Sequence, residues 1–206
     1  MKPEKTYNKY IEWFLIRPKT TGILTFLFLS FVVCFTVSQQ YKLIKEDEQR
    51  EMNNMLHVVR QNIEQTLKRC YTTTLTLALT INNEGIPENF EEVSKKLMQS
   101  NDNINGVQLV PDGIIKYVYP VMSNEAALNL NLLATASLKK EALKSITTKK
   151  MYFAGPIELK QGGIGVVGRL PIFHNNKFWG FSAVIIKLKT LLKTSGINDF
   201  NDSKYY

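Results

Sequence analysis

Gly163-x-Gly165-x-x-Gly168 has the spacing of a loop that cradles a dinucleotide's phosphates, so it is the first place in this sequence to look for chemistry. Such a loop needs a strand before it and a helix after it, because the helix N-terminus takes the pyrophosphate. The residues after Gly168 are instead Arg169-Leu-Pro-Ile-Phe173, β-branched, aromatic and interrupted by Pro. No acidic ribose ligand stands roughly 20 residues further on. The glycines are therefore expected to serve strand geometry, as a bulge or a close approach. His57 and His174 are the only histidines, too few for a histidine metal site, and neither His-Glu-x-x-His nor Gly-x-Ser-x-Gly occurs. Glu91 and Glu92 are adjacent carboxylates on a helical pattern, where solvated charges belong. The sequon Asn201-Asp-Ser203 matters only in a glycosylating cell. No catalytic constellation, metal or cofactor emerges, and a binding module is the better class.

For binding, Arg169 is the sharpest polar feature because it sits among apolar strand residues. It is expected either to meet a ligand or to serve structure, paired with a buried carboxylate or exposed at an edge. Tyr117, Tyr119, Phe153, Trp179 and Phe181 offer flat faces to a planar, even adenine-like, small molecule. Ala154, Gly168 and Gly180 leave room beside them, and Glu125 supplies an acceptor.

These residues lie in a chain of 206 residues with 44% hydrophobic content, enough for one packed domain plus attachments. The net charge of +8 comes from dispersed lysines rather than a basic stripe, which argues against nucleic acid as a partner. Two cysteines, Cys34 and Cys70, make no disulfide framework.

Residues 20–41 carry no charge and are rich in Leu, Phe, Val and Ile, the composition of a membrane-spanning helix. Lys2, Lys5, Lys9, Arg17 and Lys19 precede the run against Glu4 and Glu12. That excess places residues 1–19 in the cytoplasm and the bulk of the chain outside an inner or plasma membrane. The run is longer than a signal peptide's apolar region, and Thr36-Val37-Ser38 is a poor cleavage site, so an uncleaved anchor is expected. Residues 42–82 then read as a stalk helix. Met52, Leu56, Val59, Ile63, Leu67 and Cys70 recur at spacings of three and four, one apolar stripe that could bury against a domain or a second copy. A homodimer through the stalk is expected; Cys70 would be a buried thiol or, alternatively, a cross-link. Asn82-Asn-Glu-Gly-Ile-Pro87 ends the helix.

Residues 83–197 alternate a helix opening on a capping-box-like Asn89-x-x-Glu92, a hairpin of 106–110 and 114–121 turning at Pro111-Asp-Gly113, two short helices over 124–128 and 137–147, and three strands within 151–188. The expected fold class is α+β: a five-stranded antiparallel sheet with helices behind a transmembrane helix and a long stalk. Residues 198–206 read as a polar tail of a chain that stops between elements.

Tyr117-Val-Tyr-Pro-Val-Met-Ser-Asn-Glu-Ala-Ala-Leu128, the helix to Lys149, Phe153-Ala-Gly-Pro156, Gln161-Gly-Gly163, Gly168-Arg-Leu-Pro-Ile-Phe173 and Phe178-Trp-Gly-Phe181 together resemble the CHASE domain. That family forms the exported sensor region of receptor histidine kinases, diguanylate cyclases and plant cytokinin receptors. The resemblance covers about residues 50–197 and implies a stalk followed by PAS-like modules, the membrane-distal one holding a small ligand. It implies that this chain holds the stalk and that distal half, with a second module and an effector expected beyond it. An effector-less interaction or dimerisation module is the alternative. Two departures stand out. Asn129-Leu-Asn131-Leu-Leu133 replaces the family's Gly-x-Asp-Leu-Leu, and Ala154 stands where the plant receptors resemble Thr. The position of their ligand-binding Asp falls at Asn124 or Glu125, so cytokinin is not the expected ligand.

Overall fold

The computed structural model of the protein describes residues 16–122, 124–160 and 162–197. The basic lead before Ile16, Ser123, Gln161, and the polar tail with its sequon lie outside the described residues. The chain divides into two compact units, Met1–Leu56 and His57–Tyr206.

Helix α1 (Pro18–Ala78) begins in the first unit, where its apolar stretch is long and apolar enough to cross a membrane by length and composition. Phe26, Leu27, Phe31 and Phe35 are all exposed there. Thr25 and Thr36 donate their hydroxyls to the carbonyls of Thr21 and Val32 four residues back, so neither needs water.

In the second unit α1 becomes a core helix along the expected apolar stripe and its continuation: Val59, Ile63 and Leu67 are half-buried and Cys70 fully buried. Met52 and Leu56 are exposed, and burial is deepest at Thr66, Cys70, Thr73, Thr74 and Leu77. Three of these five are threonines. Thr66 donates to Asn62 O at 2.9 Å and Thr74 to Tyr71 O at 2.8 Å, which satisfies the hydroxyls within the helix itself. Cys70 is a free, fully buried thiol, and burial pushes it up to about 12 from an ordinary value of 9.0. A cross-link through Cys70 is therefore ruled out by its position in the core.

The helix ends at Ala78, and Asn82 organises the turn: its Oδ1 accepts the N–H groups of Glu84 and Ile86. Helix α2 (Phe90–Gln99) comes next, without the expected capping box. Asn89 is left-handed (φ 53°) and makes no side-chain cap, while Glu92 turns instead to Lys96 at 2.6 Å.

Strands β1 (Gly106–Pro111), β2 (Tyr117–Tyr119), β3 (Tyr152–Glu158), β4 (Ile164–His174) and β5 (Lys177–Lys187) form one antiparallel sheet in the order β2-β1-β5-β4-β3. The second hairpin strand is shorter than the expected 114–121. Ile114 and Ile115 pair with the insert instead, Ile115 N–H donating to Leu130 O and its carbonyl accepting from Asn129 N–H. Between β2 and β3 lie a 3₁₀ turn (Glu125–Ala127) and helix α3 (Ala136–Thr148). The family's Gly-x-Asp position is served without either residue. Asn129 adopts φ 62°, and Asn131 Oδ1 accepts from Leu133 and Ala134 N–H, as a carboxylate would. Asn175 and Asn176, both at positive φ, make the tight β4–β5 turn. Helix α4 (Leu188–Ser195) closes the described domain. No helix is expected there from the sequence pattern, although Leu188, Leu191 and Leu192 share helical spacing. Asn62 of α1 donates to Ser195 O at 3.3 Å, tying the two helices.

Candidate functional site

Alternation along a strand sends neighbouring side chains to opposite faces, and register therefore decides what this sheet can bind. On one face Val107, Leu109, Val184 and Ile186 pack with Cys70 and Leu77 of α1 and Leu97 and Met98 of α2. On the other, Val110, Ile115 and Phe181 pack with Ala127, Leu132 and Ala142 of the insert and α3. These are the helix face and the insert face.

The expected wall residues are divided between the two. Tyr117, Tyr119, Phe153 and Trp179 all join the helix-face core. Tyr117 lies 5.6 Å from the Phe90 ring of α2, and Trp179 donates its indole N–H to Gly85 O at 2.9 Å. They hold the helices on. Gly168 is on the same face, and the space its missing side chain leaves is filled: a Cβ would come 2.4 Å from Met151 Cε and 2.7 Å from Phe153 Cε1. Gly180 also reserves no ligand space, because its φ of 156° and a Cβ 2.2 Å from Val110 O make it a close strand approach. Asn124 is buried and donates to Pro120 O, and Glu125 is exposed. Ala154 and Phe181 are buried on the insert face, Phe181 edge-on to Phe178 at 5.0 Å. The ten residues do not form one wall. The loop of glycines is equally dispersed, Gly165 and Gly168 falling within β4 with no helix after them.

On the insert face is a cavity of about 410 Å³. Its floor is Gln108, Val167, Arg169 and Ile185 of the sheet. Its walls are Ile115, Leu130, Leu132 and Leu138 of the insert and α3, with Ile157–Lys160 at the end of β3 and Thr135 and Ser137 at the start of α3. Of the ten residues expected from sequence, Arg169 alone lines it. Gln108 was missed; a polar residue inside Gly-Val-Gln-Leu-Val, the strand at 106–110, was the signal available.

Arg169 is 4% exposed, on the interior strand β4, with Ala183 and Tyr152 beside it across the ladders. Its charge partner is Glu141 of α3, but Nη1 and Oε2 are 3.9 Å apart, too long for a hydrogen bond. Both of those atoms are buried without any hydrogen-bond partner. Burial pulls the guanidinium below its ordinary pKa and Glu141 opposes that fall; an arginine remains charged in any case. The backbone beneath it is fixed, since Ser145 Oγ of α3 lies 3.1 Å from Arg169 O. Helix α3 itself starts without a side-chain cap and with no acidic residue in its first turn. Among the described residues no group of three or more His, Cys, Asp or Glu is placed to hold a metal.

The family model of the CHASE domain matches residues 112–203. The match begins after β1, so the stalk and α2, which the sequence resemblance included, lie outside it. No curated protein matches the chain. The same fold occurs in the ligand-binding domain of the Pseudomonas aeruginosa amino acid chemoreceptor PctB in complex with L-Gln (TM-score 0.57, 14% identical, 73% of this chain and 60% of that one). It occurs in the ligand-binding domain of PctC from the same organism, in complex with GABA (TM-score 0.53, 18%, 68% and 65%). An extracellular ligand binding receptor from Desulfohalobium retbaense also shares it (TM-score 0.54, 14%, 68% and 27%). The chain thus spans less than two thirds of the length of these structures.

Proposed function

We propose that this chain is the membrane-anchored, extracytoplasmic sensing part of a signalling receptor, and that it binds a small molecule in the cavity between the sheet and α3. The observation that carries this reading is the cavity itself. Its volume of about 410 Å³ falls in the range of roughly 300–1,000 Å³ usual for small-molecule sites. A sealed, filled insert face would have favoured the alternative, an interaction module with no ligand.

Readout is a consequence of strand geometry. Gln108 and Ile185 touch the cavity, while Val107, Leu109, Val184 and Ile186 on the same two strands touch α1 and α2. A ligand that shifts β1 and β5 therefore shifts the surface on which α1 rests. Residues 20–41 would anchor α1 in the membrane, with the N-terminus in the cytoplasm. Self-association through α1 is supported by the exposed Tyr71 and Leu75, with exposed Leu79 just past the helix end, each four residues apart. The effector, a histidine kinase or diguanylate cyclase, would lie on further sequence.

The test is equilibrium binding to the full chain in nanodiscs, read by melting temperature, against a panel of amino acids, short carboxylic acids, purines and neutral aliphatic alcohols. Concentration-dependent stabilisation by a subset is the expected result. A panel without effect, at a cavity also blocked harmlessly by Val167→Phe, would remove the reading. Coding sequence beyond Tyr206 tests the effector, and reporter fusions on either side of residues 20–41 test the orientation.

A further inference from the structure

We infer that the ligand of this cavity is a small organic monocarboxylate with an aliphatic tail, its acid group held by Arg169 and its tail by the insert. This rests on the sensor reading and names the chemistry of the same site.

Three observations converge on the acid group. First, Arg169 is almost wholly buried on the cavity floor, and its Nη1 has no hydrogen-bond partner. A buried, unfilled guanidinium donor costs stability unless something fills it, and the planar fork matches a carboxylate. Second, Glu141 neutralises the charge from 3.9 Å without taking the donor, so the attraction is present and the bond is vacant. Third, Thr135 and Ser137 bring the uncapped start of α3 to the same cavity. Thr135 turns its hydroxyl away to Asn131 O, leaving the first-turn N–H groups without a side-chain acceptor. The positive end of a helix and a buried arginine at one cavity favour an anion.

The remaining groups narrow the class. Glu141 beside the guanidinium leaves it little excess positive charge, and Glu158 and Lys160 in the wall offset one another, so no charge is left over for a second anionic group, which disfavours phosphate esters and dicarboxylates. Gln108, buried in mid-strand, offers an amide to the second carboxylate oxygen. Ile115, Leu130, Leu132, Leu138 and Ile157 leave an apolar volume for a branched or short linear tail. Tyr117, Tyr119, Phe153 and Trp179, which could stack a purine, are on the other face, and Phe178 and Phe181 of this face do not line the cavity.

The probes are 4-methylpentanoate, its neutral amide, leucine and 4-methyl-2-oxopentanoate, each titrated against the full chain in nanodiscs. The acid is expected to bind roughly 10- to 100-fold more tightly than the amide, the span of one charge-assisted hydrogen bond. Leucine and the oxo acid separate an amino acid source from a plain acid source; binding of either or both, with the amide excluded, supports the inference. Arg169→Gln is expected to erase the difference between acid and amide. Should that variant fail to fold, Glu141→Gln decides: removing the neighbouring negative charge is expected to tighten acid binding severalfold and leave the amide unchanged. Acid and amide binding equally would overturn the carboxylate and leave the sensor standing. Acid binding that ignores Glu141→Gln would overturn the assignment to Arg169. If only a purine or an alcohol of the panel binds, the class is wrong; if another monocarboxylate of the panel binds, the class stands; if the whole panel fails, the sensor reading falls with it.

Discussion

The two faces of the sheet are built from the same strands and solve opposite problems. The helix face is filled: Leu77 and Cys70 of α1 are fully buried against Val107, Leu109, Val184 and Ile186, and even the gap at Gly168 is occupied by Met151 and Phe153. The insert face keeps a cavity and a buried charge whose donor is unfilled. A filled face transmits displacement, because close-packed side chains have nowhere to move, whereas an incompletely satisfied face has a free-energy gain in reserve for a ligand. On the proposed sensing function, output belongs to the α1 side and input to the α3 side.

The largest way to break that contrast is Leu77→Ala. It should cost about 2–5 kcal/mol in urea unfolding, while the same truncation of the cavity-lining Leu138, which is only half-buried, should cost clearly less. Equal losses would mean that the faces are packed alike. Gly180→Ala should come next, at about 1–3 kcal/mol, since a Cβ there meets the backbone of β1 rather than a side chain that can turn aside. Gly168→Ala, which meets only the flexible ends of Met151 and Phe153, should cost less, and the same denaturation curves compare the two.

Replacing the ill-bonded pair, Arg169→Met with Glu141→Leu, should leave the unliganded melting temperature unchanged or higher, while ligand stabilisation disappears. A large loss of stability would show the pair to be structural. Cys70 supplies a smaller, pH-dependent signature of the filled face. Its folded pKa lies above its unfolded value, so the fold binds the proton more tightly, and that contribution is complete below pH 9.0 and lost as pH rises toward about 12. Unfolding of the wild type should therefore steepen with alkali more than that of Cys70→Ala, and iodoacetamide should label Cys70 only on unfolding. The smallest effect belongs to the exposed Glu92–Lys96 pair, where Lys96 holds the Glu92 carboxyl below its ordinary 4.5. Its slight stabilisation should fade as pH falls through that depressed value, and high salt should hide it. Glu92→Gln melts at two salt concentrations are the check.

Much of the fold was legible because it rests on periodicity. The uncharged run at 20–41, the stop at Asn82–Pro87, the α3 segment and the β4–β5 hairpin turning within His174–Lys177 all derive from local chemistry. The buried threonines of α1 escaped because a search for apolar spacing passes over side chains that satisfy themselves on their own helix. The short β2 escaped because Ile114 and Ile115 found partners in the insert, a non-local choice. Among the candidate residues, Arg169 was visible as a charge in an apolar strand. Tyr117, Tyr119 and Trp179 looked like a stacking wall because aromatic residues suit ligands and cores equally, and nothing local separates the two uses.

The sequence by itself determined an apolar helix, an α+β order of elements, a resemblance to the CHASE domain and one anomalous arginine, since each is written in residue types and their spacing along the chain. Only the tertiary structure decided which face of the sheet each residue serves. Face depends on strand parity, on the register between β4 and β5 and on the bulge near Ile172 and Phe173. One residue of slip exchanges the faces, and the pairing that sets it is made by partners far away in the chain.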